Sequence, residues 1–460
     1  TKQQMLNWAS PFNICCFLDN HEYGLPAHSI ECILAAGAID SLRAPAGDAI
    51  QQLRDFAAKK KDWLFGHFGY GLAKETEPGP SHPTPHPPRE DRSAGEGSFR
   101  PDPIGFPDLF FFVPEILIEL SAGSIRIGSF GTDHAAILAQ IEQTAPDIRT
   151  VPGGAGIATS DPQITATSPK IATADPQTPA PLPAPALQPR FSREEYLSTV
   201  RRLQEHILRG DCYEINFCQE FYAQGARIDP LQTWHSLSRI SPNPFAAYYR
   251  VGDSYLLCSS PERYLKRTGN TLLSQPIKGT WPRSATGRGE DEKGREALLH
   301  SVKDRSENVM VVDLVRNDLS RICLEGSVRV KELYGIYTFP QVHQMISSVE
   351  GELGPDKDLA DCIRATFPMG SMTGAPKNRV VQLIGQYERS PRGLFSGAVG
   401  YVRPGGDFDL NVVIRSILYN QATGYLSCQV GSAITFYSDP AGEYEECLLK
   451  AEGMKKALGI

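Results

Sequence analysis

The sequence predicts an α/β protein of the α+β type, in which helices cover large, mainly antiparallel sheets. Three observations predict it. Short apolar runs bounded by Gly-containing turns recur along the chain, capped helical segments stand between groups of them, and the strand pattern resumes before a final helix. The 460 residues suffice for two or three ordinary domains or for one large continuous core.

The N-terminal region, 1–150, reads as strand-rich, with one helix over residues 47–61. LFFFVPEILIEL and SIRIGSF read as two strands joined at 121–123. Two stretches punctuate the chain, 75–107, which opens ETEPGPSHPTPHPPRE, and 150–189. Each proline there fixes its own φ and disfavours helix just before it, so both should be extended loops. The second marks a Pro/Ala-rich linker, 151–190, ahead of a region, 191–460, that carries the chemistry.

Beyond the linker, Ser192 and Glu195 have capping-box spacing and open a helix through EEYLSTVRRLQEHILRG to a glycine stop. A strand, CYEINFCQEFYA, and a short helix follow. FAAYYRVGDSYLLCSSPERYLKRTGNTLLSQPI then reads as an antiparallel meander. Residues 293–317 predict one long helix, with Leu298, Val302, Val309 and Val312 on one face, although VMVVDLV within it also fits a strand. Residues 358–367 and 375–387 are further helices. Strands return at LFSGAVGYVR, FDLNVVIRSILY and GYLSCQVGSAITF, and GEYEECLLKAEGMKKAL forms the last helix.

Bulk properties exclude several classes of function. The formal net charge is -7 and no Lys/Arg block stands out, which argues against a nucleic-acid surface. The ten cysteines form no CxxC and no zinc-site cluster, and their apolar settings suit reduced, buried thiols. Residues 1–34 lack the pattern of a signal peptide, and no 18-residue apolar run follows, so no membrane partner is expected and a cytoplasmic setting is.

The most distinctive local feature is SQPIKGT, which presents Lys278 between an apolar strand and a glycine turn, with Thr280 beside it. A nucleophilic amine must be partly neutral, so its surroundings are expected to lower its pKa through burial or a nearby cation. On the last helix Glu443, Glu446 and Lys450 share a face, either as a solvated ion pair or as a hard-cation ligand beside an anion contact. Glu307 offers a second carboxylate, and sparse carboxylates that leave room for water and substrate oxygens suit Mg²⁺. In SMTGAPK, Thr373 is expected to cap a helix with Pro376 in its first turn, pointing free N–H groups at an anion. Arg415 lies in the alternating strand NVVIRSILY, where an inward guanidinium needs an anion. Gly431, Ser432 and Ala433 bring backbone close to a ligand or form a plain sheet turn. Glu262, at a strand edge after Pro261, suits a general acid if its pKa is raised. His343, in TFPQVHQMI, is a further proton-transfer candidate.

In their order, GDCYEINFCQ, SPERYL, SQPIKGT, DRSENVMVVDLVRNDLSRI, FPQVHQMIS, FPMGSMTGAPK, GAVGY, VVIRS and GEYEECLLKAEGM resemble the chorismate-utilising enzyme family from about residue 191 to 458. The PIKGT lysine is similar to that of the family's aminodeoxychorismate-forming branch; anthranilate-forming members usually carry alanine there. The resemblance implies a bilobal fold with sheets flanking a cleft. It implies that Lys278 adds to ring C2 of chorismate as the C4 hydroxyl leaves, after which ammonia adds at C4 and expels the lysine. It further implies Glu307 and Glu446 as Mg²⁺ ligands, Glu262 as acid–base group and His343 near the same oxygen. Arg415 and Gly431 to Ala433 would meet the enolpyruvyl carboxylate, with Thr280, Thr373 and Lys450 completing the pocket. Ammonia would come from a separate glutamine amidotransferase subunit, and the product would feed 4-aminobenzoate and folate synthesis. Trp281 and Met369 depart from the family's usual arginine or leucine and glycine, with Trp281 expected either to cover the Lys278 pocket or to lie at the surface. Tryptophan binding, known in some relatives, is left open. The rival readings are an anthranilate synthase component and a noncatalytic chorismate-binding regulatory subunit.

Overall fold

The computed structural model describes residues 1–23, 30–77, 102–121, 123–145, 182–283, 287–339 and 342–460. Most of the two Pro-rich stretches, and Ala122 of the expected turn, therefore lie outside the described residues.

Two large antiparallel sheets dominate. Among the described residues the first has 11 strands, ordered Gly374–Ala375, Glu214–Ala223, Tyr425–Ile434, Ser416–Asn420, Ser254–Ser260, Phe245–Val251, Ile14–Asp19, Cys32–Ala36, Ile116–Ser121 and Ser124–Ser129, with Gln188–Pro189 beside the second of these. The second has 10 strands among the described residues, ordered Ile277–Pro282, Val342–Glu352, Thr271–Gln275, Arg263–Thr268, Phe408–Val412, Ala398–Val402, Leu64–Phe68, Leu109–Val113 and Asp40–Ala44, with Arg329–Thr338 on the other side of Val342–Glu352. Strands from 14–129 thus form one end of each sheet, continuing strands from 188–434.

Strand alternation divides the apolar residues between two cores. Cys16, Ala247, Tyr249, Leu256 and Cys258 face the core shared with the second sheet, where helices Ala49–Lys60, Val302–Ser320 and Leu359–Thr366 also contribute. Their neighbours Cys15, Phe17, Ala246, Tyr248 and Leu257 face the opposite way, onto helices Lys2–Ala9, Arg193–Leu208, Pro230–Ile240, Lys377–Tyr387 and Pro440–Ala457. All ten cysteines are free, and all but Cys323 are buried. No helix among the described residues is long and apolar enough to cross a membrane.

The capping box forms as expected, Ser192 accepting from the Glu195 amide while the Glu195 carboxylate accepts from the Ser192 amide. Other expectations are corrected. LFFFVPEILIEL is not one strand: Leu109–Val113 and Ile116–Ser121 belong to different sheets, and Pro114, which has no N–H for a ladder, stands at the switch. The meander likewise changes sheet between Ser260 and Arg263, at Pro261 and Glu262. The predicted strand through Arg415 breaks as well. Phe408–Val412 pairs in the second sheet and Ser416–Asn420 in the first, with Arg415 between them at φ 52°. The last two switches lie side by side, tied by backbone bonds from Val412 N to Glu262 O at 3.0 Å and from Ser259 N to Arg415 O at 3.1 Å.

The long helix over 293–317 is two helices, Arg288–His300 and Val302–Ser320, because Ser301 leaves helical geometry and its hydroxyl accepts from the Asp304 amide. VMVVDLV is helical. Thr373 does not cap the helix after it. Gly374–Ala375 pairs with Glu214–Ile215 as a short strand, so Pro376 takes the cap position and the Thr373 hydroxyl turns back to Met369 O at 3.0 Å.

A buried ion pair fixes this corner: Lys377 Nζ lies 2.6 Å from Asp318 and also donates to Thr366 O at 3.1 Å. Burial pushes the Asp318 carboxyl up to about 6, against the pull of Lys377. Lys377→Met is expected to cost about 3–5 kcal/mol, by stranding a buried carboxylate. A urea titration reads this as a lowered midpoint, with a smaller loss in acid, where Asp318 takes a proton.

Candidate active site

The two sheets meet at their edges around Lys278. The edge strand Ile277–Pro282 carries a register shift between Ile277 and Thr280, where Gly279 adopts φ 91°, a conformation costly for any residue with a Cβ. The shift aims Lys278 inward, across to the start of strand Glu214–Ala223 in the other sheet. Lys278 Nζ donates to Glu214 Oε1 at 3.0 Å, with the two side chains 10% and 5% exposed.

The expected lowering of the Lys278 pKa is not what this pocket does. Burial does act to lower it, but the carboxylates of Glu214, Glu307 and Glu262 outweigh burial and push it up. The resting amine is an ammonium. Glu262, buried at the sheet switch, behaves in the opposite sense. Burial pushes its carboxyl up to about 7 against the pull of Ser371 and Lys278, so it carries a proton in neutral solution part of the time.

Glu307 lies on helix Val302–Ser320, and burial pushes it up to about 7 against Lys278 and Lys303. Glu446 and Glu443 come from helix Pro440–Ala457. Burial works to raise Glu446, but Lys450 at 2.6 Å, with Lys303 and Lys278, holds it below the usual carboxylate range. One ammonium joins the two helices: Lys303 Nζ lies 3.4 Å from Glu443, 3.8 Å from Glu307 and 3.9 Å from Glu446. Its side chain is 59% exposed, so it can leave.

This arrangement fits a hard divalent cation. Among the described residues no three His, Cys, Asp or Glu side chains form a ready metal cage. Mg²⁺ needs only one or two carboxylates when waters and substrate oxygens fill the remaining positions, and the oxygens of Glu307 and Glu446 already gather around a positive charge.

The other sequence candidates divide. Arg415 is half-buried, which lowers its pKa against the pull of Glu446, and its guanidinium makes a long contact to Lys450 O at 3.5 Å. Lys450 Nζ also donates to Gly431 O at 2.8 Å. Ser432 is buried and its hydroxyl donates to Glu443, and Ala433 is buried beside it. A Cβ on Gly431 would lie 2.2 Å from the Asn216 side chain, so this glycine permits the close approach of two strands. Thr373 is buried near the same strands, and Asn216 N donates to its carbonyl at 2.7 Å. Thr280, by contrast, is exposed. His343 is buried but engaged elsewhere, with Thr338 at 2.9 Å and Asp291 at 3.1 Å. Trp281 is 43% exposed and packs at Gly294; Met369 is buried.

Sequence reasoning missed Glu214 and Lys303. A signal for Glu214 existed: a carboxylate inside the apolar run EINFCQEF has to find a partner if its strand is buried on both faces. A separate cavity between the sheets is lined by residues including Leu18, Asp19, Phe245, Tyr401 and Asn411, and none of the site residues above borders it.

A sequence profile of the chorismate binding enzymes matches residues 27–456. The chain is 42% identical over 278 residues to an aminodeoxychorismate synthase of Streptomyces pristinaespiralis, covering 60% of this chain and 38% of that protein. It is 36% identical over 271 residues to aminodeoxychorismate synthase component 1 of Escherichia coli, covering 59% of each. The chain thus spans less than two thirds of the length of these curated relatives. Anthranilate synthase component I of Streptococcus pneumoniae shares the fold, with a TM-score of 0.70 and 23% identity over 94% of this chain and 93% of that one.

Proposed function

The chain belongs to the chorismate binding enzyme family, and we propose that within it this protein aminates chorismate at C4, giving 4-amino-4-deoxychorismate through a covalent adduct on Lys278. The observation that carries the reading is a lysine ammonium, 10% exposed, that is bonded to Glu214 and feels the charges of Glu262 and Glu307, with Glu262 poised near neutrality. The aminodeoxychorismate synthases among its relatives support it.

Lys278 supplies the nucleophile, already oriented, so that its attack on ring C2 is local rather than bimolecular. Glu262 donates its proton to the departing C4 hydroxyl. Ammonia, from a separate glutamine amidotransferase subunit, then bonds at C4 and the lysine leaves. Arg415 faces the enolpyruvyl carboxylate as a guanidinium with capacity for an anion. Glu307 and Glu446 would hold Mg²⁺, which supplies when bound a positive charge for the ring carboxylate. The product would enter 4-aminobenzoate and folate synthesis in the cytoplasm.

Chorismate, Mg²⁺ and an ammonium salt, assayed with and without an aminodeoxychorismate lyase, test the reading. Lyase-dependent 4-aminobenzoate is expected; strong lyase-independent anthranilate fluorescence would overturn it. The pH profile offers a second test. Glu262 is an acid whose pKa is raised, so its protonated form is full at low pH and is lost as pH rises through about 7. The free-enzyme parameter kcat/KM should fall through that range. Glu262→Gln is expected to lose this limb and to slow turnover by about 10²–10⁴-fold.

A further inference from the structure

We infer that Glu214 is the base that takes the proton from Lys278 before the amine attacks, an assignment that rests on the adduct reading above. The Lys278 ammonium must lose a proton to become a nucleophile, and the carboxylates around it favour keeping that proton against the effect of burial. The acceptor therefore has to be in direct contact. Glu214 Oε1 is, at 3.0 Å, inside a pocket that leaves its side chain 5% exposed. Glu262 and Glu307 act on Lys278 through charge without a hydrogen bond. Each is also committed elsewhere: Glu262 carries the proton for the leaving hydroxyl, and Glu307 faces Lys303 at 3.8 Å.

The geometry suits transfer within a pair. Glu214 opens the strand that lies between Gly374–Ala375 and Tyr425–Ile434, where it pairs with Ala375 while Ile215 beside it pairs with Ile434. Lys278 is held from the other sheet by the Gly279 turn. One proton moving along the hydrogen bond breaks N–H and forms O–H, and turns an ion pair into two neutral groups. Substrate that displaces water from the pocket favours the neutral pair, because burial penalises charge.

The sequence of steps then balances. The Nζ lone pair bonds to ring C2, the ring electrons shift and the C4–O bond breaks. The hydroxyl leaves as water with the Glu262 proton. Ammonia bonds to C4, the C2–N pair returns to Nζ, and Glu214 gives its proton back to Lys278. The surplus proton on the new C4 ammonium goes to the Glu262 carboxylate. One chorismate and one ammonia yield one product and one water, with no oxidant or reductant.

Glu214→Gln tests this, since glutamine keeps the shape and an oxygen acceptor for Lys278 but cannot take the proton. The readout is single-turnover formation of the Lys278 adduct, by intact-protein mass and peptide mapping, with saturating chorismate and Mg²⁺ and no ammonia. In the unmodified chain the rate should be flat below about pH 7, where the proton passes internally. In Glu214→Gln it should drop by about 10²–10⁴-fold and rise roughly tenfold per pH unit in that range, because the proton now goes to solvent. Chorismate affinity should stay within about threefold, a split that a merely structural loss would not give. Adduct formation by Glu214→Gln at the unmodified rate or faster would overturn the assignment and leave Glu214 as a counter-charge. So would a tenfold rise per pH unit in the unmodified chain, which needs no variant to fold. Absence of any adduct in the unmodified chain, with Lys278→Ala turning over normally, would instead defeat the lysine reading itself.

Discussion

Lys278→Ala is expected to lose nearly all formation of the 4-amino product while still binding chorismate in a Mg²⁺-dependent way. An oriented intramolecular nucleophile is worth effective molarities on the order of 10⁵ M or more, and no solvent group in the pocket replaces it. The C2 position is then open to ammonia itself. Any anthranilate that the variant makes supports the argument that the lysine directs nitrogen to C4, and unchanged turnover would remove Lys278 from the chemistry. The substitution also strands Glu214, buried and without its ammonium. A stability loss of about 3–5 kcal/mol should accompany it, so a thermal melt has to be read beside the assay. Activity lost with chorismate binding intact separates chemistry from folding.

Glu307→Gln and Lys303→Met should move Mg²⁺ affinity in opposite directions. Glu307→Gln removes a ligand from the proposed cation seat, and binding should weaken by at least about 10–100-fold. Lys303 stands in that seat now, within 4.0 Å of Glu307, Glu443 and Glu446. A divalent cation has to displace it or share the seat with it. Lys303→Met relieves both costs. Because Lys303 is largely exposed and screened, each ion pair is worth about 0.2–1 kcal/mol, and affinity should rise roughly threefold to tenfold. Calorimetric titration with MgCl₂ alone, without substrate and so without turnover, reads both. An unaltered titration in Glu307→Gln would take that carboxylate out of the metal site, and weaker binding by Lys303→Met would show that the ammonium assists the cation.

What the sequence made legible was local. The Ser192–Glu195 capping box closes over four residues, and its structure follows from those residues alone. Ser301 was harder, since a serine within a helical period reads equally as a continuing turn or as a new cap, and the choice depended on its neighbours in space. The sheet switches at Pro114, Pro261–Glu262 and Val412–Arg415 were invisible for a stronger reason. Alternation shows which face of a strand is apolar, not which sheet the strand joins. The site followed the same rule. Lys278, Glu262, Glu307 and Glu446 stand out through the order of their motifs, and their charges act on one another in the fold. Thr280 stands in the same motif, yet the register shift at Gly279 leaves it exposed. Glu214 escaped notice because its partner is 64 residues away, on a strand of the other sheet.

The adjoining sheet switches have a consequence for what the cleft accepts. Glu262 and Arg415 ride on neighbouring rails, three residues apart along them, each tied across by one backbone bond, Val412 N to Glu262 O and Ser259 N to Arg415 O. The strands that lead into and out of both rails pair with each other, Ser254–Cys258 with Ser416–Asn420 in the first sheet and Arg263–Arg267 with Phe408–Asn411 in the second, so neither rail slides without breaking those bonds. The interval between an acidic tooth and a cationic one is thus machined into the scaffold, and a guest is gauged by whether its own polar groups are spaced to match.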